Sequence, residues 1–218
     1  MMKTEYQRNL PHFHHIGASF FLTWRLNGSL PKSVLDKFKE QRDAALDALK
    51  VREIKPEERV LAELKITNHY HLQIDDYLDK IETGPHHLKN QDIANLVIKK
   101  MKQYDDDYYK LIAFSVMSNH VHALMDFSIQ VDKLGDNLNE ETYKQVSEVM
   151  RLIKGSTSFD ANKILKTKGH FWQDEYFDRY IRNQNHFDTV VRYILNNPVK
   201  AKICIDPQDF PYNYYRYW

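Results

Sequence analysis

Two histidines separated by one residue, His120 and His122, form a pair that can bind a metal ion. The residues around them alternate in polarity, which predicts a β-strand, and residues two apart on a strand project from the same face. Val121 lies on the apolar, core-facing side, so both imidazoles are expected to point at an open sheet face. There they can hold a divalent cation between them. The alternative is two surface histidines without a ligand.

A second pair, Tyr193 and Asn197, has the spacing of neighbours on one face of a helix. Both residues lie beside the apolar stripe of a predicted helix, at the edge where a helix packs on a sheet. From that edge a tyrosine hydroxyl can reach over the sheet surface. The alternative is a half-buried tyrosine with its hydroxyl in water, and an asparagine that merely precedes Pro198.

The third feature is a basic segment near the end of the chain. Residues 151–202 carry ten Lys or Arg against five Asp or Glu, a local excess of +5 in a chain whose formal net charge is +1. Aromatic residues are interleaved with the cations, as expected for phosphate contacts combined with base stacking. Trp172 is the candidate for stacking. The alternatives are a solvated charged face and a core tryptophan.

Composition excludes several classes of protein. Of the 218 residues, 42% are hydrophobic, enough for a folded core. No run approaches the roughly 18 apolar residues of a membrane-spanning helix, and the N-terminus lacks an apolar signal core, so a cytoplasmic protein is expected. The single cysteine, Cys204, excludes an internal disulfide and a Cys-rich zinc site.

The elements that must position these residues can be predicted from periodicity. Alternation predicts a strand over Ala18 to Leu26, followed by helices over about 32–49, 57–81 and 91–103. Strands over Tyr109 to Met117 and His120 to Phe127 form a predicted antiparallel hairpin.

The rest of the chain is predicted to alternate between helix and strand. A polar loop over 134–140 precedes a helix over about 140–153 capped by Asn139, and 170–178 is a candidate strand. Asn185 is expected to cap a last helix over 186–197, which Pro198 stops. This order predicts an α+β fold, with one antiparallel sheet, helices on one face and the other face free for a ligand. We expect a single domain over 1–218 with a helical insertion over about 33–103.

Several motifs together resemble the single-tyrosine HUH transposases, within the IS200-like transposase family. The similarity is greatest to the branch of REP-associated tyrosine transposases, which act on bacterial repetitive extragenic palindromes. The motifs are Arg8-Asn9-Leu10-Pro11-His12, Ala113-Phe114-Ser115-Val116-Met117-Ser118-Asn119-His120-Val121-His122-Ala123-Leu124, Phe171-Trp172-Gln173, Tyr193-Ile194-Leu195-Asn196-Asn197-Pro198-Val199-Lys200 and Asp209-Phe210-Pro211-Tyr212. Ser118 departs from the proline that this branch usually has before Asn-His.

The resemblance implies a ferredoxin-like sheet, a Mg²⁺ or Mn²⁺ ion, and cleavage of single-stranded or hairpin DNA. It makes His120, His122 and Asn197 the metal ligands and Tyr193 the nucleophile. The residues expected to bind DNA are Trp172, Gln173, Arg179, Arg182, Arg192 and Lys200. The protein can be a monomer or a homodimer.

The implied chemistry suits these residue types. A cation held by two imidazoles and an amide oxygen keeps positions open for phosphate oxygens. A phenol is a poor nucleophile at neutral pH without such assistance. Once the tyrosine is bonded to phosphate, a DNA 3′-hydroxyl can attack that bond and reverse the reaction. Two alternatives remain: a DNA-binding protein of the same fold that has lost cleavage, and a metal-dependent phosphodiesterase that uses water.

The basic segment gives a first prediction. Affinity for single-stranded DNA should fall steeply as salt rises from roughly 50 to 200 mM, because bound Lys and Arg side chains displace condensed counterions. Fluorescence anisotropy of a labelled oligonucleotide measures this directly. An affinity that does not change with salt would contradict the assignment of this segment to phosphate contacts.

Overall fold

A computed structural model describes residues 5–7, 11–13 and 15–218. Arg8, Asn9 and Leu10 of the N-terminal motif lie outside this part of the chain. In chain order the described elements are β1 (Glu5–Gln7), β2 (Pro11–Phe13), β3 (Ser19–Arg25), α1 (Lys32–Lys50), α2 (Pro56–Lys80), α3 (Gln91–Gln103), β4 (Lys110–Val116), β5 (His120–Asp126), α4 (Ser128–Leu134), α5 (Val146–Leu165), β6 (Phe177–Tyr180), α6 (Gln184–Lys200) and β7 (Asn213–Tyr215).

Five strands form one antiparallel sheet in the order β6-β3-β5-β4-β7. Strands β3, β4, β5 and β6 alternate with α3 and α5 in the sequence β-α-β-β-α-β, which is the ferredoxin-like arrangement. The predicted α+β class with its antiparallel sheet is therefore confirmed. β7, which extends the sheet at the β4 edge, has three residues, too few for a detectable periodicity.

One face of the sheet packs on α3 and α5. Alternate residues of β3, such as Phe20, Leu22 and Trp24, join this core, and Val121 of β5 is fully buried in it. The core-facing side predicted for Val121 is therefore correct, and side chains of β3 alternate between the two faces in the same way.

The other face is covered by α6, so the expectation that it stays free for a ligand is wrong. Phe21, Ile112 and Leu124 project from this face and are buried against Val190 and Ile194 of α6. The physical reason is that this face also carries large apolar side chains, which must be removed from water. The alternation along β5 predicts only the face that carries Val121 as core.

The chain divides into two compact units, one formed by residues up to Asn27 together with His86–Trp218, the other by Gly28–Pro85. The second unit contains α1 and α2, which agree with the predicted helices to within one residue at each end. Within it, the Arg42 guanidinium lies 4.8 Å from the centre of the Tyr70 ring. α3 belongs to the first unit, although it falls within the range predicted as an insertion. The single-domain assignment remains a prediction.

The helix predicted over 140–153 is displaced in the structure. α5 begins at Val146 with Gln145 as its N-cap and continues to Leu165. The Asn139 side chain accepts hydrogen bonds from the backbone of Glu141 and Thr142, so it closes a separate turn. The preceding helix α4 was not predicted from the sequence.

α6 also differs from its predicted bounds. Its N-cap is Asn183, whose side chain accepts a hydrogen bond from the backbone of His186, and Pro198 lies inside the helix. The proline removes one backbone hydrogen-bond donor close to the helix end. The backbone N–H groups of Ala201 and Ile203, which follow it, still donate to the carbonyls of Asn197 and Pro198. The strand predicted over 170–178 is wrong in its bounds: β6 shares only Phe177 and Asp178 with it, and Trp172 forms an isolated bridge with Leu26.

None of the helices that the structure describes is both long and apolar enough to cross a membrane.

The packing of β5 gives a prediction for stability. Val121→Asp should lower the free energy of unfolding by about 4 kcal/mol or more, because it places an unpaired carboxylate in a closed apolar core. Val51, which is 85% exposed, provides the matched control, and Val51→Asp should change little. Urea unfolding of both variants measures the difference. Equal destabilisation would contradict the assigned core face of β5.

Candidate active site

His120 and His122 begin strand β5 and share the sheet face that α6 covers. Their Nε2 atoms lie 3.0 Å apart, so the predicted common orientation is present. Both residues are 0% exposed, however, which contradicts the expectation of an open face. Thr23 and Ser115 are the cross-strand neighbours of His122 on its two sides.

Each imidazole is also held through its other nitrogen. His120 Nδ1 lies 2.7 Å from Asn119 Oδ1, and His122 Nδ1 lies 2.8 Å from Thr23 Oγ1. The Phe21 ring stacks beside His122 at 5.5 Å between centroids. These contacts fix the orientation of both rings, as is typical of histidines that bind a metal.

Burial keeps both histidines neutral. It lowers the pKa of His120 to about 3, and the positive charge of Lys200 acts in the same direction. Burial, followed by the charges of His120 and Lys200, lowers the pKa of His122 well below its usual range. A neutral imidazole has a lone pair available for a cation, whereas a protonated one has none.

α6 brings Tyr193 and Asn197 to the same place. The half-buried Tyr193 ring meets the His122 ring nearly edge-on, with 5.4 Å between centroids. Asn197 follows one helical turn later and Lys200 three residues after that, so all three lie on one side of the helix. Because Tyr193 contacts His122 and Lys200 acts on both histidines, this side of α6 faces the pair.

The Asn197 amide fits a metal site. The residue is 1% exposed, and neither its oxygen nor its amide nitrogen has a hydrogen-bond partner. A buried amide without partners costs roughly 1–3 kcal/mol of stability. No group of three or more His, Cys, Asp and Glu side chains within the described part of the chain could hold a metal ion. The available donor set is therefore two imidazole nitrogens and one amide oxygen.

Two residues at the site were missed from the sequence. Thr23 falls within the strand predicted over Ala18 to Leu26, and Asn119 lies in the motif that contains the histidines, but neither is predicted to contact them. The signal for Thr23 is the register of β3 against β5, which places it opposite His122. The register between two strands cannot be derived from the composition or the periodicity of one strand alone.

The basic residues expected to bind DNA are distributed unevenly. Arg182, Arg192 and Lys200 are exposed on or beside α6, and the half-buried Arg179 guanidinium lies 5.4 Å from the centre of the Phe21 ring. Gln173 lies elsewhere, in a groove of about 900 Å³ beside α5.

Trp172 is a core residue, which contradicts its expected role in base stacking. It is 3% exposed, its indole Nε1–H donates to Thr157 Oγ1 at 2.8 Å, and its ring packs edge-on against Trp24. Tyr176, which follows Trp172 by four residues and is a second tyrosine in the basic segment, is buried in the same core on the α3 and α5 side of the sheet.

The match to a protein-family model agrees with the motifs. A family model described as "Transposase IS200 like" matches residues 86–197, just over half of the chain, and includes all four candidate residues of the site. A solved structure described as that of a REP-associated tyrosine transposase bound to a REP hairpin matches with a TM-score of 0.49 and 17% identity. The match covers 97% of this chain and 82% of that one. A search of curated proteins finds no match.

The buried histidines predict a pH-dependent stability. In the presence of EDTA, the free energy of unfolding should fall as the pH is lowered from about 6.5 towards 3. The unfolded chain takes up protons at histidines with a pKa of about 6.5, whereas the folded chain keeps this pair neutral. Each histidine contributes at most about 1.4 kcal/mol per pH unit.

Urea unfolding across this range tests the effect. The double variant His120→Gln and His122→Gln should show a shallower slope than the wild type, while Val51→Gln, which replaces an exposed residue and removes no titratable group, should keep the wild-type slope. Identical slopes for all three proteins would contradict the proposed protonation states.

Proposed function

Because the chain belongs to the IS200-like transposase family, we propose that it is a metal-dependent DNA transesterase that cleaves and rejoins single-stranded hairpin DNA. The proposed intermediate is a 5′-phosphotyrosine. The observation that carries the proposal is the contact between Tyr193 and the neutral histidine pair, next to an Asn197 amide that lacks partners. Hairpin DNA is the proposed substrate because the sequence motifs resemble those of the REP-associated branch.

His120, His122 and Asn197 are the residues proposed to hold Mg²⁺ or Mn²⁺. Such an ion would offset the negative charge of the phosphodiester and make its phosphorus more electrophilic. The burial of both imidazoles supports this role, because it keeps their lone pairs unprotonated at neutral pH.

Tyr193 is the proposed nucleophile. Its phenolic oxygen forms a bond to the phosphorus after losing its proton, and the bond from phosphorus to the 3′ oxygen breaks. The departing 3′ oxygen takes up a proton and becomes a hydroxyl. In the reverse direction a DNA 3′-hydroxyl attacks the phosphotyrosine, which rejoins the strand and regenerates the phenol.

The position of Tyr176 supports this choice. Tyr176 packs in the core on the other side of the sheet, with Lys154 Nζ 5.8 Å from its ring centre, whereas Tyr193 lies on the side of the histidines. α6 also delivers the nucleophile and a metal ligand as one rigid unit, and correct orientation contributes strongly to rate.

The exposed basic residues near α6 are proposed to bind the DNA backbone. Arg182, Arg192 and Lys200 project from the described surface close to Tyr193 in sequence, and Arg179 lies beside Phe21. Gln173 remains a proposed DNA contact, from the groove beside α5. Trp172 is excluded from the DNA contacts, because its indole is buried.

The nucleophile gives a sharp prediction. Incubation with single-stranded hairpin DNA and Mn²⁺ should give wild-type protein a covalent adduct that migrates slowly on a denaturing gel. Tyr193→Phe should bind the DNA normally and form no adduct, because only the attacking oxygen is lost. Tyr176→Phe is the matched control and should still form the adduct.

Peptide mass spectrometry locates the attached DNA. Attachment to Tyr176 would overturn the assignment of the nucleophile. Cleavage without any adduct would favour a water-dependent phosphodiesterase, and binding without cleavage would favour a DNA-binding protein that has lost activity.

A further inference from the structure

We propose that a groove between helices α1 and α2 is a further DNA-binding site, which contacts the phosphodiester backbone of the hairpin DNA. This assignment rests on the proposed function, which supplies the DNA as ligand. The groove has a volume of about 560 Å³ and lies within the second compact unit. Its lining includes the polar side chains of Gln41, Arg42, Lys65, His69 and Gln73.

The groove concentrates positive charge in a unit that is acidic as a whole. Residues 28–85 carry ten Lys or Arg against twelve Asp or Glu, so the unit has no general attraction for a polyanion. The lining, however, contains Arg42, Lys65 and His69 and no Asp or Glu. A concave surface lined by one sign of charge raises the local concentration of ligands of the opposite sign.

The cations of the groove differ in their partners. The Asp43 carboxylate, which lies outside the lining, accepts hydrogen bonds from Nε and Nη2 of Arg42 at 2.8 and 2.6 Å and offsets part of its charge. Lys65 and His69 are exposed and form no ion pair within the described part of the chain. The charge most available to an anionic ligand is therefore that of Lys65.

The groove also offers hydrogen-bond donors that suit phosphate oxygens. The contact with Asp43 and the Tyr70 ring, 4.8 Å from the guanidinium carbon, hold the Arg42 guanidinium in place. Its remaining N–H groups can donate to a ligand. Gln73 Nε2 donates to Gln41 Oε1 at 3.4 Å, which leaves the Gln41 amide nitrogen as a donor. Arg, Lys and Gln side chains all form phosphate contacts in protein–DNA complexes.

The length of the groove favours a polymer over a free phosphate ion. Lys65, His69 and Gln73 follow one another at intervals of four residues, so they form a stripe along one side of α2. The stripe extends over about 12 Å of helix. Because duplex DNA has one charge per roughly 1.7 Å of its axis, the stripe can meet several phosphates.

The site is expected to bind the DNA backbone without reading the bases. Tyr70, the aromatic residue of the lining, is 7% exposed, so its ring is not available for base stacking. Contacts to phosphate oxygens orient the DNA but do not depend on its sequence. Loss of the site should therefore weaken the binding of different hairpins to the same extent.

The experiment measures hairpin DNA binding by the full chain with fluorescence anisotropy, in EDTA so that no cleavage occurs. At about 50 mM salt, Lys65→Glu should bind roughly 5–20-fold more weakly than the wild type, because a phosphate contact is replaced by repulsion. The slope of log affinity against log salt should decrease by roughly 0.7–0.9. Lys39→Glu, at an exposed position of α1 outside the lining, is the matched control and should change the affinity less than about 2-fold.

A measurement on the wild type alone tests the same contact. Acetylation of surface lysines, read by peptide mass spectrometry, should be slower at Lys65 when hairpin DNA is bound and unchanged at Lys39. Inorganic phosphate at the same phosphate concentration should protect neither lysine. Protection of Lys65 by polyglutamate and not by the hairpin would indicate an acidic protein segment as the ligand and overturn the proposal, even if the glutamate variant failed to fold.

The remaining outcomes separate this site from the proposed function. Equal affinities of the Lys65→Glu and Lys39→Glu proteins would overturn the groove as a DNA-binding site. Wild-type protein that binds no hairpin DNA would overturn both the groove and the proposed function. Wild-type protein that binds the hairpin in EDTA and forms no adduct with Mn²⁺ would overturn the proposed function alone, because the binding comparison involves neither the cation nor Tyr193.

Discussion

The packing of α6 on the sheet is the interaction on which the rest of the site depends. Phe21, Ile112 and Leu124 give this face of the sheet an apolar surface that the helix must cover. Covering it removes water from His120 and His122, which lie among these side chains. The same helix contributes Tyr193 and Asn197, so hydrophobic burial assembles the candidate site.

This arrangement has a cost in stability that a simple core would not have. Two imidazoles and an amide occupy space that apolar side chains could fill, and the amide of Asn197 has no partner at all. Polar groups buried in this way are tolerated when the surrounding packing holds them in place. Here the strand partners Asn119 and Thr23 hold the rings in place.

Much of the fold was predictable because its elements have clear periodicity. α3 matches its predicted bounds, the β4–β5 hairpin is correct, and the common face of His120 and His122 follows from strand geometry alone. Their burial was not predictable from one strand, because it depends on apolar residues of β3 and β4 and on a helix more than 60 residues later in the chain.

Other errors have the same origin. Trp172 and the cations near it suggested stacking on DNA. Its indole instead donates a hydrogen bond to Thr157, fifteen residues earlier, and its ring is buried in the core. Pro198 suggested a helix end, but the backbone after it still bonds to α6. For Trp172 a contact between separate elements outweighs the local preference, and for Pro198 the backbone hydrogen bonds of the helix end do so.

The effect of a charged residue also depends on its position in the fold. A chain with a net charge of +1 has no general attraction for a polyanion, yet Lys200 acts on both histidines and Arg192 is exposed on the same helix. Burial lowers the pKa of both histidines most, and the positive charge of Lys200, which acts in the same direction, also attracts phosphate. One lysine therefore favours neutral imidazoles and an anionic ligand together, and both are required if a phosphodiester is to meet Tyr193 at this site.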